Sequence, residues 1–222
     1  MPSMRLKVIL VAVLATATPA SGHERVTTKL TWSREIARIV HARCLTCHRE
    51  SGRAFSLSTY AEARPWAVAI KDEVLTRRMP PWNAVKGFGR FKNDLGLTQE
   101  ELSLIADWVE GGAPEGDPML TPVRPAAVAS SKFPPAREIA FSGTTILDRK
   151  VQAIGIRVGR IPSSGTLQVI AVRPDGRVEP LVWVRQRNLA DPGEYWFRST
   201  IRLPAGTELE TVPGGSASLL VR

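Results

Sequence analysis

Histidine and cysteine are scarce in this chain of 222 residues, with three of the first and two of the second. The scarcity excludes much. A structural zinc site takes four ligands, and besides His48 the only histidines are His23 and His41. A thioredoxin-like dithiol calls for a βαβ context, and none is visible. No acid–base pair or nucleophilic constellation stands beside the cysteines, so the sequence supplies no machinery for bond chemistry. Basic residues outnumber acidic ones, 30 to 21. They are spread along the chain with no aromatic-interleaved stripe of the kind that binds nucleic acid. After the first residues, no stretch is apolar enough to span a membrane.

What is present centres on His41-Ala-Arg-Cys44-Leu-Thr-Cys47-His48. Cys44-x-x-Cys47-His48 has the spacing of a covalent c-type haem attachment site. On a helix, positions 44, 47 and 48 share one face. Two thiols then reach the two vinyl groups of one haem while the imidazole of His48 reaches its iron. A dithiol, a simple disulfide or half of a zinc site are the competing readings. The reading adopted is one covalent haem c.

Residues 1–22 read as a secretory signal. Arg5 and Lys7 make the positive start, Val8 to Ala15 the apolar core, and Thr18-Pro-Ala20 the cleavage site. Export places the mature chain in the periplasm or another extracytoplasmic space, with no membrane span once the signal is cleaved. The alternative is a leader retained as an anchor. Its removal lowers the net charge from +9 to about +7.

From Thr31 to Cys44 the spacing of Ile36, Ile39 and Val40 predicts a helix capped at Thr31 or Ser33. Trp32 packs at its start. A second helix begins near Ser58 or Thr59, takes Pro65 in its first turn, and carries Trp66, Ala69, Ile70 and Val74 as a stripe. It must stop at Met79-Pro-Pro81. Met79 is the candidate sixth ligand. Its thioether suits haem iron, two prolines fix it, and the other methionines are Met1, Met4 and Met119. Packing into a core gap is the plainer reading for Met79, and His23 or an open position are the alternatives for the iron. Phe88 and Phe91 either wall the haem edge or anchor a loop. Thr98-Gln-Glu-Glu101 is a capping box opening a third helix, closed by Gly111-Gly112.

Residues 113–137 are proline-rich and read as a linker between a unit at 30–112 and one at 138–222. The second unit has short β-type runs at 151–158, 166–172, 178–184, 195–202 and 218–221, with a Pro174-Asp-Gly176 turn. That texture predicts a small β-sandwich.

The order helix, Cys-x-x-Cys-His, helix, Met-Pro, helix resembles a class I cytochrome c domain. More closely, Arg77-Arg-Met-Pro-Pro-Trp82, Ala63-Arg-Pro-Trp66 and Ile105-Ala-Asp-Trp-Val-Glu-Gly-Gly-Ala-Pro-Glu-Gly-Asp117 resemble the cytochrome c module of a bacterial exported family. There it often precedes a domain related to the copper type II, ascorbate-dependent monooxygenases. Glu194 to Glu208 and Arg173 to Arg177 are similar to that second domain. The resemblance implies two domains, a mainly α class I cytochrome c domain followed by a small all-β sandwich-like domain. It also implies Cys44 and Cys47 on the porphyrin, His48 as proximal ligand and Met79 as distal ligand. The copper site of that family needs a His-x-His pair and a later methionine. Here the corresponding region reads Ile156-Arg-Val-Gly-Arg160, no histidine follows His48 and no methionine follows Met119. No copper is expected, and the second domain reads as a docking module.

The functional expectation is an exported monohaem cytochrome that carries single electrons and is not an enzyme. The alternative is a haem peroxidase, reductase or gas-binding sensor with an open sixth position. The expected partner is a redox protein, and an acidic one suits the basic surplus.

Overall fold

The computed structural model describes residues 29–124, 133–185, 191 and 193–222. The secretory-signal reading of 1–22, and His23, lie outside the described residues.

Eight strands dominate the described residues. They form two antiparallel sheets of four, ordered β1-β8-β3-β6 and β2-β7-β4-β5. The strands are β1 (Arg137–Ser142), β2 (Thr144–Ile146), β3 (Val151–Val158), β4 (Thr166–Val172), β5 (Val178–Arg185), β6 (Glu194–Leu203), β7 (Glu208–Val212) and β8 (Ser216–Val221). The alternation that marks a half-buried strand is clearest in β4, where Leu167, Val169 and Ala171 point inward. They meet Ile156, Tyr195, Phe197 and Leu219 from the other sheet in the larger of the two main cores. The β-rich region is thus a two-layer sandwich.

Four short helical segments precede it among the described residues, the last a 3₁₀ turn at Pro118–Leu120. The first is a π turn, Trp32–Ile36, continued by α1 (Ala37–Arg43). The second is α2 (Tyr60–Ala63), a 3₁₀ turn at Arg64–Trp66, and α3 (Ala67–Leu75). The third is α4 (Gln99–Glu110), opened by the Thr98/Glu101 capping box. Trp32 is their hub, 6.0 Å from Trp108 and 6.3 Å from Tyr60. The chain after α4 closes over it: Trp32 N donates to Pro114 O at 3.0 Å and Tyr60 Oη to Ala113 O at 3.0 Å. Residues 113–117, at the start of the proline-rich stretch, are therefore anchored to this helical core.

The expectation of a mainly α class I cytochrome c domain is overturned. The helices sit near the predicted positions, but the longest has 12 residues, and most regular structure is strand. The motif order that prompted the expectation specifies the sequence of turns and caps. It does not specify how the intervening chain packs, and the stretch between the second and third helical segments goes to the sandwich.

That stretch, Trp82 to Asn93, pairs with the free edges of both sheets. Val85 N donates to Trp183 O at 2.7 Å and Arg185 N to Asn83 O at 3.1 Å, extending the sheet beyond β5. Pro180 lies in β5, as an edge strand permits. Lys92 N donates to Trp196 O at 2.7 Å and Arg198 N to Arg90 O at 2.8 Å, doing the same at β6. Ala84 and Phe91 are buried in the sandwich core, with Trp82 packed against it. Gly89 permits the crossing, because a Cβ there would lie 2.6 Å from Leu181 O and 2.4 Å from the Phe91 ring. Phe88 and Phe91 are thus sandwich anchors. On the opposite side β1 and β2 are the remaining edge strands, and the chain passes from one sheet to the other between them through Gly143.

Phe91→Ala is expected to destabilise the chain by about 3–5 kcal/mol, measured by urea denaturation followed by tryptophan fluorescence. A loss below about 1 kcal/mol would mean that the segment merely rests on the sandwich.

Candidate functional site

The π turn and α1 deliver the cysteine motif. Thr31 caps the start, its Oγ1 accepting from Arg34 N at 3.3 Å, while Glu35 accepts from Thr31 N at 3.0 Å. At the other end Cys44 N donates to Val40 O at 2.9 Å, and Cys44 O accepts from Cys47 N at 3.0 Å and His48 N at 2.9 Å. The helical hydrogen bonding therefore runs one turn past α1, which gathers Cys44, Cys47 and His48 on a single turn. Arg43 ties this turn to α4: its guanidinium donates twice to Glu101 Oε1, at 2.9 and 3.0 Å, and once to Asp94 O at 3.1 Å.

Both cysteines carry free thiols. Cys44 packs at the margin of the helical core. Burial, and secondarily the Glu101 carboxylate, pushes its thiol up to about 12. A redox dithiol works through a thiol whose pKa is lowered, so this environment speaks against a thioredoxin-like role.

His48 is held by one ring nitrogen. Its Nδ1 lies 3.0 Å from Phe55 O. A donated Nδ1–H to that carbonyl leaves Nε2 free with its lone pair outward, the arrangement usual for metal-bound histidine. The loop that carries the carbonyl is pinned on both sides of it, by Ala54 N to Cys47 O at 3.2 Å and Leu57 N to His48 O at 2.9 Å. Gly52 makes this possible, since a Cβ there would stand 2.3 Å from Cys47 O and 2.8 Å from Arg49 O.

Beside the imidazole runs a row of aromatic rings. Phe55 meets His48 edge-on at 4.9 Å and Trp66 at 4.6 Å. Both are about half exposed, and Val68, Leu75 and Met79 are exposed further along the same stretch. Trp66 was expected on the buried stripe of the second helix, whereas the buried positions are Ala67 and Val74. Large apolar side chains left in water next to a potential ligand mark a surface that a flat apolar group can cover.

Met79 is placed apart. It follows α3 on a turn in which Met79 N and Arg78 N both donate to Glu73 O, at 3.1 and 2.9 Å. Its side chain is 40% exposed. It lines a cavity of about 290 Å³ with Trp82, Leu97 and Arg185, and this cavity contains none of Cys44, Cys47 and His48. The structure thus brings three of the four expected residues together. His41 lies on α1 with both ring nitrogens buried and without a hydrogen-bond partner among the described residues. Burial lowers its pKa.

The sequence reading missed two participants. The Phe55 carbonyl belongs to the main chain and has no sequence signature. Asp191 anchors Asn83, a residue lining that cavity: its Oδ2 accepts from Asn83 N at 2.5 Å and Tyr195 Oη at 2.8 Å, and its Oδ1 from Gly193 N at 2.8 Å. Asp191-Pro-Gly193 was readable as an Asx turn.

Among the described residues no group of three or more His, Cys, Asp or Glu side chains gathers to hold a metal ion. Haem differs from such sites because its porphyrin supplies four of the iron's donors. Two thiols on one turn, an imidazole with Nε2 free and an adjoining apolar surface fit that group.

No family model, curated protein or solved structure matches the chain. The resemblance to an exported cytochrome c module followed by a degenerate copper monooxygenase domain is corrected accordingly: it rested on short motifs, and neither the β-rich fold nor the comparisons support it.

Two measurements test the site. Gly52→Ala is expected to cost about 1–3 kcal/mol, because the displaced atoms are backbone, read as a lowered melting temperature. In the haem-free, reduced chain, Cys44 is expected to alkylate about 10³-fold more slowly at pH 8 than an ordinary thiol, and the rate should still be climbing at pH 10. Mass-spectrometric peptide mapping reads both; a fast Cys44 would restore the dithiol reading.

Proposed function

We propose that the chain is an exported c-type cytochrome that carries one covalent haem and passes single electrons between partner proteins. The observation that carries this reading is the turn holding Cys44, Cys47 and His48 together with the His48 Nδ1 contact to Phe55 O. Cys44 and Cys47 would hold the porphyrin as thioethers, each thiol adding across one vinyl group. When bound, haem supplies a reversible ferrous–ferric couple. His48 would hold the iron through Nε2, with the Phe55 carbonyl orienting the ring and strengthening it as a donor. Phe55 and Trp66 would cover apolar porphyrin surface and keep water from it, which would raise the potential. Met79 is the candidate for the sixth position. A periplasmic or other extracytoplasmic location rests on the reading of 1–22 and suits covalent haem attachment, which in bacteria takes place outside the cytoplasm. No helix of the described residues is long and apolar enough to cross a membrane.

A second reading has its own support. Met79 is exposed and lines a cavity separate from the cysteine turn, which favours an open or displaceable sixth position, as a gas sensor or haem enzyme requires.

The test is the optical spectrum of the purified chain, exported in a host with haem-attachment machinery, reduced and then exposed to carbon monoxide. A c-type spectrum unchanged by the gas supports the carrier, and Met79→Ala should then make it responsive. A shift in the wild-type spectrum moves the second reading ahead. Cys44→Ser with Cys47→Ser is expected to abolish haem that survives denaturing electrophoresis. Absence of haem from the wild-type chain would end both readings.

A further inference from the structure

One end of the sandwich opens into a cleft of about 690 Å³ lined by Arg137, Arg149, Lys150, Arg173, Arg202 and Arg222, with Glu138 as the one acidic side chain on its wall. The cations come from both sheets. Arg202 on β6 stands opposite Gln152 on β3, and Arg222 N donates to Gln152 O at 3.2 Å. Arginines therefore flank Gln152 on both sides, about 10 Å apart across three strands. Arg173 closes β4 in the other sheet and reaches over, its Nη2 donating to Arg202 O at 2.9 Å. Arg149 and Lys150 come from the turn before β3, and Arg137 begins β1.

Five of these six charges are not neutralised among the described residues. Glu138 is taken by Arg157, and Glu179 lies 4.0 Å from Arg173. Arg137, Arg149, Lys150, Arg202 and Arg222 have no ion-pair partner among the described residues. Like charges gathered in a concave, partly apolar site repel one another and focus a positive potential outward. That costs stability unless an anion occupies the site.

The shape and chemistry of the cleft select the anion. Its size is that of a small-molecule site, which disfavours a flat protein surface. None of its lining side chains is aromatic, which disfavours stacked nucleotides. Guanidinium groups match carboxylate and phosphate oxygens in paired hydrogen bonds. Leu203, Pro204 and Ile139 add an apolar floor. The cleft is also remote from the segment that leads to Met79: Lys92 binds β6 at Trp196, and six residues of strand to Arg202 span roughly 20 Å.

We propose that this end of the sandwich binds a compact multivalent oxyanion, one with two or more carboxylate or phosphate groups, as an anchoring site separate from the cysteine turn. The proposal stands whether or not the chain carries haem.

Calorimetric titration of the full chain with citrate and with pyrophosphate, at ionic strength held constant with sodium chloride, tests it. Wild-type protein is expected to bind one of them with a dissociation constant below about 1 mM, and Arg149→Gln with Arg202→Gln to weaken it by at least about tenfold. Neither of those side chains makes a hydrogen bond or ion pair among the described residues. A control pair of equal charge change, Arg53→Gln with Arg160→Gln, should stay within about twofold. Co-sedimentation with cardiolipin vesicles, whose headgroup carries two phosphates, against phosphatidylcholine vesicles, distinguishes the source: capture that the cleft pair abolishes, without binding of the soluble anions, assigns the oxyanions to a lipid headgroup. No binding to any probe, or equal loss in the control pair, overturns the proposal.

Discussion

A two-sheet sandwich has four edges, and each bare edge offers unpaired backbone groups to any other strand. Here two crossings join the sheets along their edges, and one of them also covers the edges it crosses. On one side β1 becomes β2 at Gly143. On the other, residues 82–93 bind β5 and then β6 by backbone hydrogen bonds and seat Ala84 and Phe91 in the core. The second crossing governs the rest of the molecule, because it begins three residues after Met79 and ends just before the Asp94 turn that receives Arg43. Asp191 secures its start through three accepted hydrogen bonds at a single carboxylate. The helical segments therefore hang from the sandwich through a covalent and hydrogen-bonded connection on both sides of the crossing.

Cys44, Cys47 and His48 share one turn, held from behind by the Arg43–Glu101 pair and from the side by the Gly52 loop. That pair is only about a fifth exposed at each partner, so solvent screens it less than a surface ion pair. The apolar rings of Phe55 and Trp66 face water instead of the core. Their exposure is unfavourable for an isolated protein and favourable for one that seats a flat apolar group beside an imidazole.

Much of the local structure was legible in the residues. The Thr98/Glu101 capping box, the Gly111-Gly112 stop and the placement of the helical segments follow from side-chain chemistry acting within a few residues, as does the alternation in β4. The turn that gathers Cys44, Cys47 and His48 was legible because the three stand at a fixed local spacing. Legibility failed where long-range packing decided. Nothing near Phe91 announces that its ring belongs among strands a hundred residues later, and Trp66, apolar and correctly spaced for a buried stripe, faces outward. Motif order suggested a helical domain of known kind, and the protein is instead mainly β. The cation cluster was invisible for the same reason: Arg137, Arg149, Lys150, Arg173, Arg202 and Arg222 are dispersed in sequence, and only strand register brings them together.

The crossing at 82–93 also bears on how this protein can be cut. The proline-rich stretch at 113–137 looks like the natural place to divide it, yet a fragment ending there would expose Trp82, Ala84 and Phe91 to water. The complementary fragment would lose the cover of β5 and β6 and keep two open strand edges. Nicking the chain at that stretch should leave the halves clinging to each other, in the manner of a split reporter, instead of releasing two modules. The crossing thus makes the two halves a poor pair for genetic shuffling, since neither brings along everything needed to close its own surface.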